Sequence, residues 1–213
     1  MADGDRMLAV LAGDESRTHG ERLPGEIARA LEQAGVPRER IDLFAVATGP
    51  GAFTGLRIGL AAIQGLAMTL NKPAIGVSAL DALAEQVEDR VDLVIPWMDA
   101  QRGDVFATVI DRIIVHTLEP PTAGNPGDLL AAWQEHLTGR SAIFIGDAVS
   151  RDHELITRAG KGDWEARTPA PLAPQIAIIG RRCAAEAGPP HALEPIYVRR
   201  PDAEIERDRR SQS

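Results

Sequence analysis

Apolar and polar positions alternate along the chain in blocks whose period changes. Met7–Leu11 is a short apolar run behind an Asp3-Gly4 turn signal and reads as a strand leaving a hairpin-type turn. Leu23, Ile27, Ala30, Leu31 and Ala34 recur at helical spacing, which predicts an amphipathic helix from His19 to Ala34 stopped by Gly35, with Pro37 beyond. Leu43–Ala47 is a compact apolar run entering a glycine-rich stretch. After it, Thr54 is placed to cap a helix that continues to Leu70 before Asn71 and Pro73. Ala74–Val77 predicts another strand, Ser78 the cap of a helix ending near Asp89, and Leu93–Trp97 a strand opening the second half. Such alternation implies a layered α/β protein.

From Val94 to Leu118 the apolar segments are separated by turn chemistry, so an antiparallel meander is expected, with Asp99–Asp104 as its first connection. Pro120–Pro126 reads as a proline-glycine connector, Asp128–Leu137 as a helix, and Ala142–Ile145 as a buried strand with Gly146-Asp147 at its C-terminal end. Strand ends of that kind line ligand crevices in open sheets. A last helix, about Pro174 to Ala187, is expected to bury Ile176, Ile179, Cys183 and Ala184, and the charged remainder after Y-V-R-R-P-D to be poorly ordered.

Composition narrows the class. The chain has 213 residues, 44% of them apolar, enough for one large domain or two lobes with a real core. A formal charge of -8 repels polyanions, so nucleic-acid binding by the chain alone would need a local basic patch, which only the tail offers. A single cysteine, Cys183, excludes an internal disulfide framework and points to a reducing, cytoplasmic compartment. No apolar run approaches the ~20 residues of a membrane span, so no membrane partner is expected.

The stretch T-G-P-G-A-F-T-G-L-R-I-G-L, Thr48 to Leu60, carries the chemical question. A strand, a glycine loop and a helix N-terminus suit an anion, which makes Gly49, Gly51, Thr54, Gly55 and Arg57 a candidate phosphate loop. Against this, Gly55 is followed by Leu56 and Arg57 where a phosphate loop has Lys and Ser/Thr, and the glycine spacing is one residue longer than the dinucleotide fingerprint. Gly49 and Gly51 also suit the turn itself, and Gly55 and Gly59 suit close helix packing. Arg57 stays open between a surface charge and an anion contact. The five histidines never fall at i, i+4, and no H-E-x-x-H occurs, so no metal site is expected. Cys183 lies on an apolar stripe and reads as core filler rather than a nucleophile.

Taken whole, G-P-G-A-F-T-G-L-R-I-G-L resembles the signature of the bacterial TsaB (YeaZ, glycoprotease-like) family. Four further segments resemble that family in order: H-G-E-R-L (His19–Leu23), M-D-A-Q-R-G-D-V-F-A (Met98–Ala107), G-D-A (Gly146–Ala148) and P-I-Y-V-R-R-P-D (Pro195–Asp202). The resemblance implies an actin-like α/β fold of two lobes with mixed five-stranded sheets: residues 1–92, residues 93–200, and a flexible tail, 201–213. It also implies a non-catalytic helper in the modification of tRNA to threonylcarbamoyladenosine. The helper pairs with a TsaD-like catalytic subunit and a TsaE-like ATPase and meets tRNA through the complex, with any ATP or ADP belonging to the assembly.

Family members begin with a strand bearing Asp-Thr-Ser/Thr and a second strand before the turn seen here at Asp3-Gly4. The expectation is that the first lobe lacks both, through a misassigned start or truncation. Gln101 stands where the family commonly has arginine, while Arg102 remains. Leu23, Ile27, Gly59, Leu60, Ile63 and Ala67 are the candidates for partner contact, on helices that could also form a homodimer. Each stripe is equally open to being internal core. The rival readings are an independent actin-like phosphotransferase using Asp99 or Asp147, and a glycoprotease-type peptidase.

Overall fold

A computed structural model describes residues 1–4, 6–13, 19–160 and 163–199, with only the backbone described at residues 19–22. The expected tail, 201–213, lies outside the described residues. The chain divides into two units: Met1–Gln86 with Pro169–Pro195, and Val87–Thr168 with the segment starting at Ile196. The expected border falls after residue 92, with everything up to 200 in the second lobe. The segment Pro169–Pro195 instead returns to the first unit.

The first unit opens with two-residue strands β1 (Ala2–Asp3) and β2 (Arg6–Met7), paired antiparallel. The expected strand Met7–Leu11 shortens to its first residue, because the amides of Leu8 and Ala9 turn back to the Met1 carbonyl, at 2.9 and 3.3 Å. Helix α1 (His19–Ala34) has its predicted limits: Gly35 takes φ +63°, and the Val36 amide donates to the Leu31 carbonyl at 3.3 Å, closing the helix end. Strand β3 (Phe44–Gly49) leads to α2 (Phe53–Thr69) and then to β4 (Ala74–Ser78), parallel to β3. Thr54 is not the cap: Ala52 holds that position without a side-chain bond, and Thr54 lies exposed in the first turn. Ser78 does cap α3 (Ala79–Ala84), its Oγ accepting from the Asp81 amide at 3.3 Å. That helix ends well before Asp89, where the Gln86 side chain turns to exchange two hydrogen bonds with the Ala170 backbone (2.9 and 2.8 Å).

The second unit is built on β5 (Leu93–Asp99), β6 (Val105–Asp111) and β7 (His116–Gly124), the expected antiparallel meander. The proline-rich segment is therefore strand rather than connector. It is tolerated because β7 is the sheet edge, where missing N–H groups break no ladder. Asn125 caps α4 (Pro126–Ala132), and the predicted single helix is interrupted at buried Trp133 before α5 (Gln134–Leu137). β8 (Ala142–Ile145) is buried throughout and is followed by α6 (Val149–Ala159) and β9 (Trp164–Arg167), giving the order β7-β6-β5-β8-β9. Its core gathers Leu93, Ile95, Trp97, Val105, Phe144 and Ile156.

The chain then re-enters the first unit through α7 (Ala173–Arg182), which packs on β3 and β4. A side chain at Gly180 would place its Cβ 2.6 Å from that of Ala45, so only glycine permits this approach. The helix stops short of the predicted Ala187. Ile176, Ile179 and Cys183 are half-buried rather than buried, and Ala184 is exposed.

Candidate functional site

Helix α2 carries one charge and one amide in seventeen residues, so it is apolar nearly all round, the pattern of a helix covered on every side. Among the described residues of the first unit it is covered on one side only. Leu60 (4% exposed) and Ala67 (0%) are buried, Ala67 against Phe44 and Ala74, and Ile63 packs on the same cluster. Two of the partner-contact candidates, Leu60 and Ala67, are thus packed into the unit's own core. Leu23 and Ile27 are half-buried on α1, which packs beside α2. The side left open holds Arg57, Ala61, Gly65 and Met68, the last 58% exposed. A Cβ built on Gly59 or Gly65 would meet nothing within 4 Å, so packing inside the unit does not require glycine at either position. Helical periodicity located the stripes but could not say which one the sheet would claim.

The glycine loop is arranged mainly as a turn. Gly49 takes φ +111°, a conformation costly for other residues, whereas Gly51 does not have a positive φ, so the turn requirement falls on the first glycine alone. The Thr48 hydroxyl donates to the Val77 carbonyl at 3.2 Å, and its methyl group fills the space a side chain on Gly76 would occupy. Arg57 stacks on Phe53, one turn back, with its guanidinium carbon 3.9 Å from the ring centroid, a cation–π contact. Gly51, Thr54 and Gly55 stay together at the start of α2, but no side chain caps that helix.

In the second unit, the C-terminal ends of β5 and β8 carry a dense polar network. Asp99 ends β5, its amide donating to Asp147 Oδ1 at 2.8 Å. Arg151, from the first turn of α6, binds Asp99 Oδ1 at 2.6 Å and Asp152 at 2.8 and 2.9 Å, while Trp97 Nε1 donates to Asp152 Oδ2 at 2.8 Å. Hydrogen bonds from Arg151 to Asp152 first, and then to Asp99, raise the arginine's pKa further. Together they hold the turn after β5, in which Gln101, Arg102 and Gly103 take φ of 65, 57 and 85°. Asp99 accepts from the Gln101 amide and side chain, and Arg199 reaches Asp104 and the Ala100 carbonyl. Asp99 and Asp147, the carboxylates a phosphotransfer reading would enlist, are thus both engaged in holding the turn. Asp99, Asp147 and Arg102 are legible in the sequence and Arg199 falls within the family-like segment Pro195–Asp202, whereas Arg151 and Asp152 carry no local signal. Nothing in local spacing links residues 47 to 99 positions apart.

Residues 12–130, more than half of the chain, match the family described as TsaD, tRNA N6-adenosine threonylcarbamoyltransferase. The tRNA threonylcarbamoyladenosine biosynthesis protein TsaB of Bacillus subtilis (strain 168) is 28% identical over 207 residues, covering 94% of this chain and 88% of the relative. An uncharacterized protein of Mycobacterium tuberculosis (strain ATCC 25618 / H37Rv) is 31% identical over 194 residues, covering 89% and 79%. A crystal structure of a Pseudomonas aeruginosa protein described as similar to peptidase YEAZ superposes with a TM-score of 0.69 at 24% identity, over 86% of this chain and 85% of that one. That likeness, the family match and the mixed five-stranded sheet of the second unit bear out the expected actin-like α/β fold, but the expected sheet of the first lobe is not five-stranded: its described strands form the pairs β1-β2 and β3-β4.

Proposed function

The chain belongs to the TsaB (YeaZ) family, with a role in tRNA threonylcarbamoyladenosine biosynthesis, and on that premise we propose that it is a non-catalytic subunit that docks a TsaD-like catalytic subunit on α1 and α2. The observation that carries this reading is the open side of α2. An apolar helix leaves Ala61, Gly65 and Met68 uncovered, with space beside Gly59 and Gly65 for another backbone to approach. Leu23, Ile27 and Ile63, half-buried, contribute at the margin of this face. A TsaE-like ATPase and tRNA join through the assembly, and the whole chain's net charge of -8 fits a protein that does not hold RNA by itself.

Catalysis then belongs to the partner. The carboxylates at the strand ends of the second unit are committed to Arg151 and to backbone amides, which stabilises a turn and supports this division of labour. The test is reconstitution with tRNA, ATP, threonine and bicarbonate. Modification should require the catalytic and carbamoyl-adenylate-forming subunits and drop when this chain is left out. Modification by this chain alone would overturn the proposal.

A further inference from the structure

Met68 lies in the last turn of α2, on the open stripe that includes Ala61 and Gly65, and it is 58% exposed. The chain's other methionines differ from it: Met1, Met7 and Met98 are all half-buried. Along the stripe its neighbours one and two turns back are glycine and alanine, and a Cβ built on Gly65 would meet nothing within 4 Å, so neither can shield the thioether from solvent. The single thiol, Cys183, is half-buried. Peroxides convert an accessible thioether to a sulfoxide, which is polar where the thioether is apolar. Met68 is the methionine that solvent reaches most freely, and it stands on the face proposed for docking.

We propose that Met68 is an oxidation-sensitive modification site: its sulfoxide, formed by a peroxide on the free chain, closes the α2 face to the catalytic subunit, and reduction reopens it. The inference rests on the reading of α2 as the docking face. In the modifying step the sulfur lone pair attacks one oxygen of hydrogen peroxide and the O–O bond breaks. The sulfur gives up two electrons as the S–O bond forms, and the other oxygen leaves as water with both protons. On the free chain the new oxygen is hydrated, and the fold is undisturbed because Met68 lies outside the unit's core. Against a partner that hydration is lost. The nearby polar side chains of α2 are already committed: Gln64 donates to the Leu193 carbonyl at 3.0 Å, and the Thr69 hydroxyl to the Gly65 carbonyl at 2.7 Å. A buried acceptor without a donor opposes association. Docking in turn excludes peroxide, so the two events compete: a chain oxidised first docks poorly, and a chain docked first is protected.

The test treats the full chain, carrying Cys183→Ser, briefly with hydrogen peroxide, follows each methionine by peptide mass spectrometry and titrates the product calorimetrically with the catalytic subunit. Met68 should gain one oxygen several-fold faster than Met7 or Met98, with the thermal unfolding midpoint of the free chain unchanged. The dissociation constant should rise about tenfold or more, and methionine sulfoxide reductases for both epimers should bring it back. Bound catalytic subunit should slow the oxidation of Met68. Whatever affinity Met68→Leu has before treatment, it should keep afterwards. Oxidation of Met7 or Met98 as fast as that of Met68, a Met68 sulfoxide that binds as tightly as the untreated chain, or a loss of affinity that persists in Met68→Leu would each overturn this inference alone. An untreated chain that does not bind the catalytic subunit would overturn the docking reading with it.

Discussion

Trp97 and Gly146 meet backbone to backbone: a Cβ on Gly146 would fall on the carbonyl oxygen of Trp97 and crowd its carbonyl carbon as well. The glycine directly follows β8 and the tryptophan lies in β5, so this contact sets how closely the two parallel strands come together just before the clamped turn. The Ala148 amide donates to the same Trp97 carbonyl at 3.3 Å, tying the start of α6 to it.

Gly146→Ala should therefore destabilise the protein by ~2 kcal/mol or more, since backbone rather than a flexible side chain must move. Urea unfolding followed by tryptophan fluorescence measures this. A change within ~0.5 kcal/mol would mean the strands can separate freely at this point.

Asp152 is buried and serves both Trp97 Nε1 and Arg151. Asp152→Ala leaves the indole donor unsatisfied and should cost ~2 kcal/mol, whereas Asp152→Asn keeps an acceptor for it and should cost about half as much. Equal losses would show that the ion pair with Arg151, not the indole bond, carries the effect.

Helix α2 allows a contrast within one element. Leu60→Ala removes buried side chain and should lower stability by ~2–4 kcal/mol. Met68→Asp, on the open side, should leave stability within ~0.5 kcal/mol and weaken pairing with the catalytic subunit by about tenfold or more, read by calorimetric titration. Intact pairing in the Met68 variant would remove the support for docking on this face.

The pH dependence of folding has a definite sign at Asp111. The Ile114 amide, then Arg140 and the Ile113 amide, hold its pKa below the ordinary value of 3.8. Its stabilisation is fully present above that ordinary value and is lost as the pH falls through the depressed one in the folded chain. Asp111→Asn should thus be less stable at neutral pH and show a shallower loss of stability below about pH 4 in urea titrations.

Much of this was legible in the sequence. The limits of α1, the Ser78 cap, the meander and buried β8 follow from local chemistry, because glycine stops, capping hydroxyls and apolar runs act over a few residues. α6 and β9 were not anticipated. β9 is a four-residue edge strand, W-E-A-R, with only two apolar residues, and it becomes a strand by pairing with β8.

By itself, the sequence determined the succession of most helices and strands and the family signature, since these rest on periodicity and on residues adjacent in the chain. Only the tertiary structure decided that Leu60 and Ala67 belong to the core while Met68 faces outward, and that Arg151 and Arg199 hold the turn after β5. It also returned α7 to β3 and β4 rather than leaving it with the second lobe. The physical reason is common to all three: a stripe, a charge or a helix has many local ways to be satisfied, and the choice among them is made by whichever distant surface reaches it first in space.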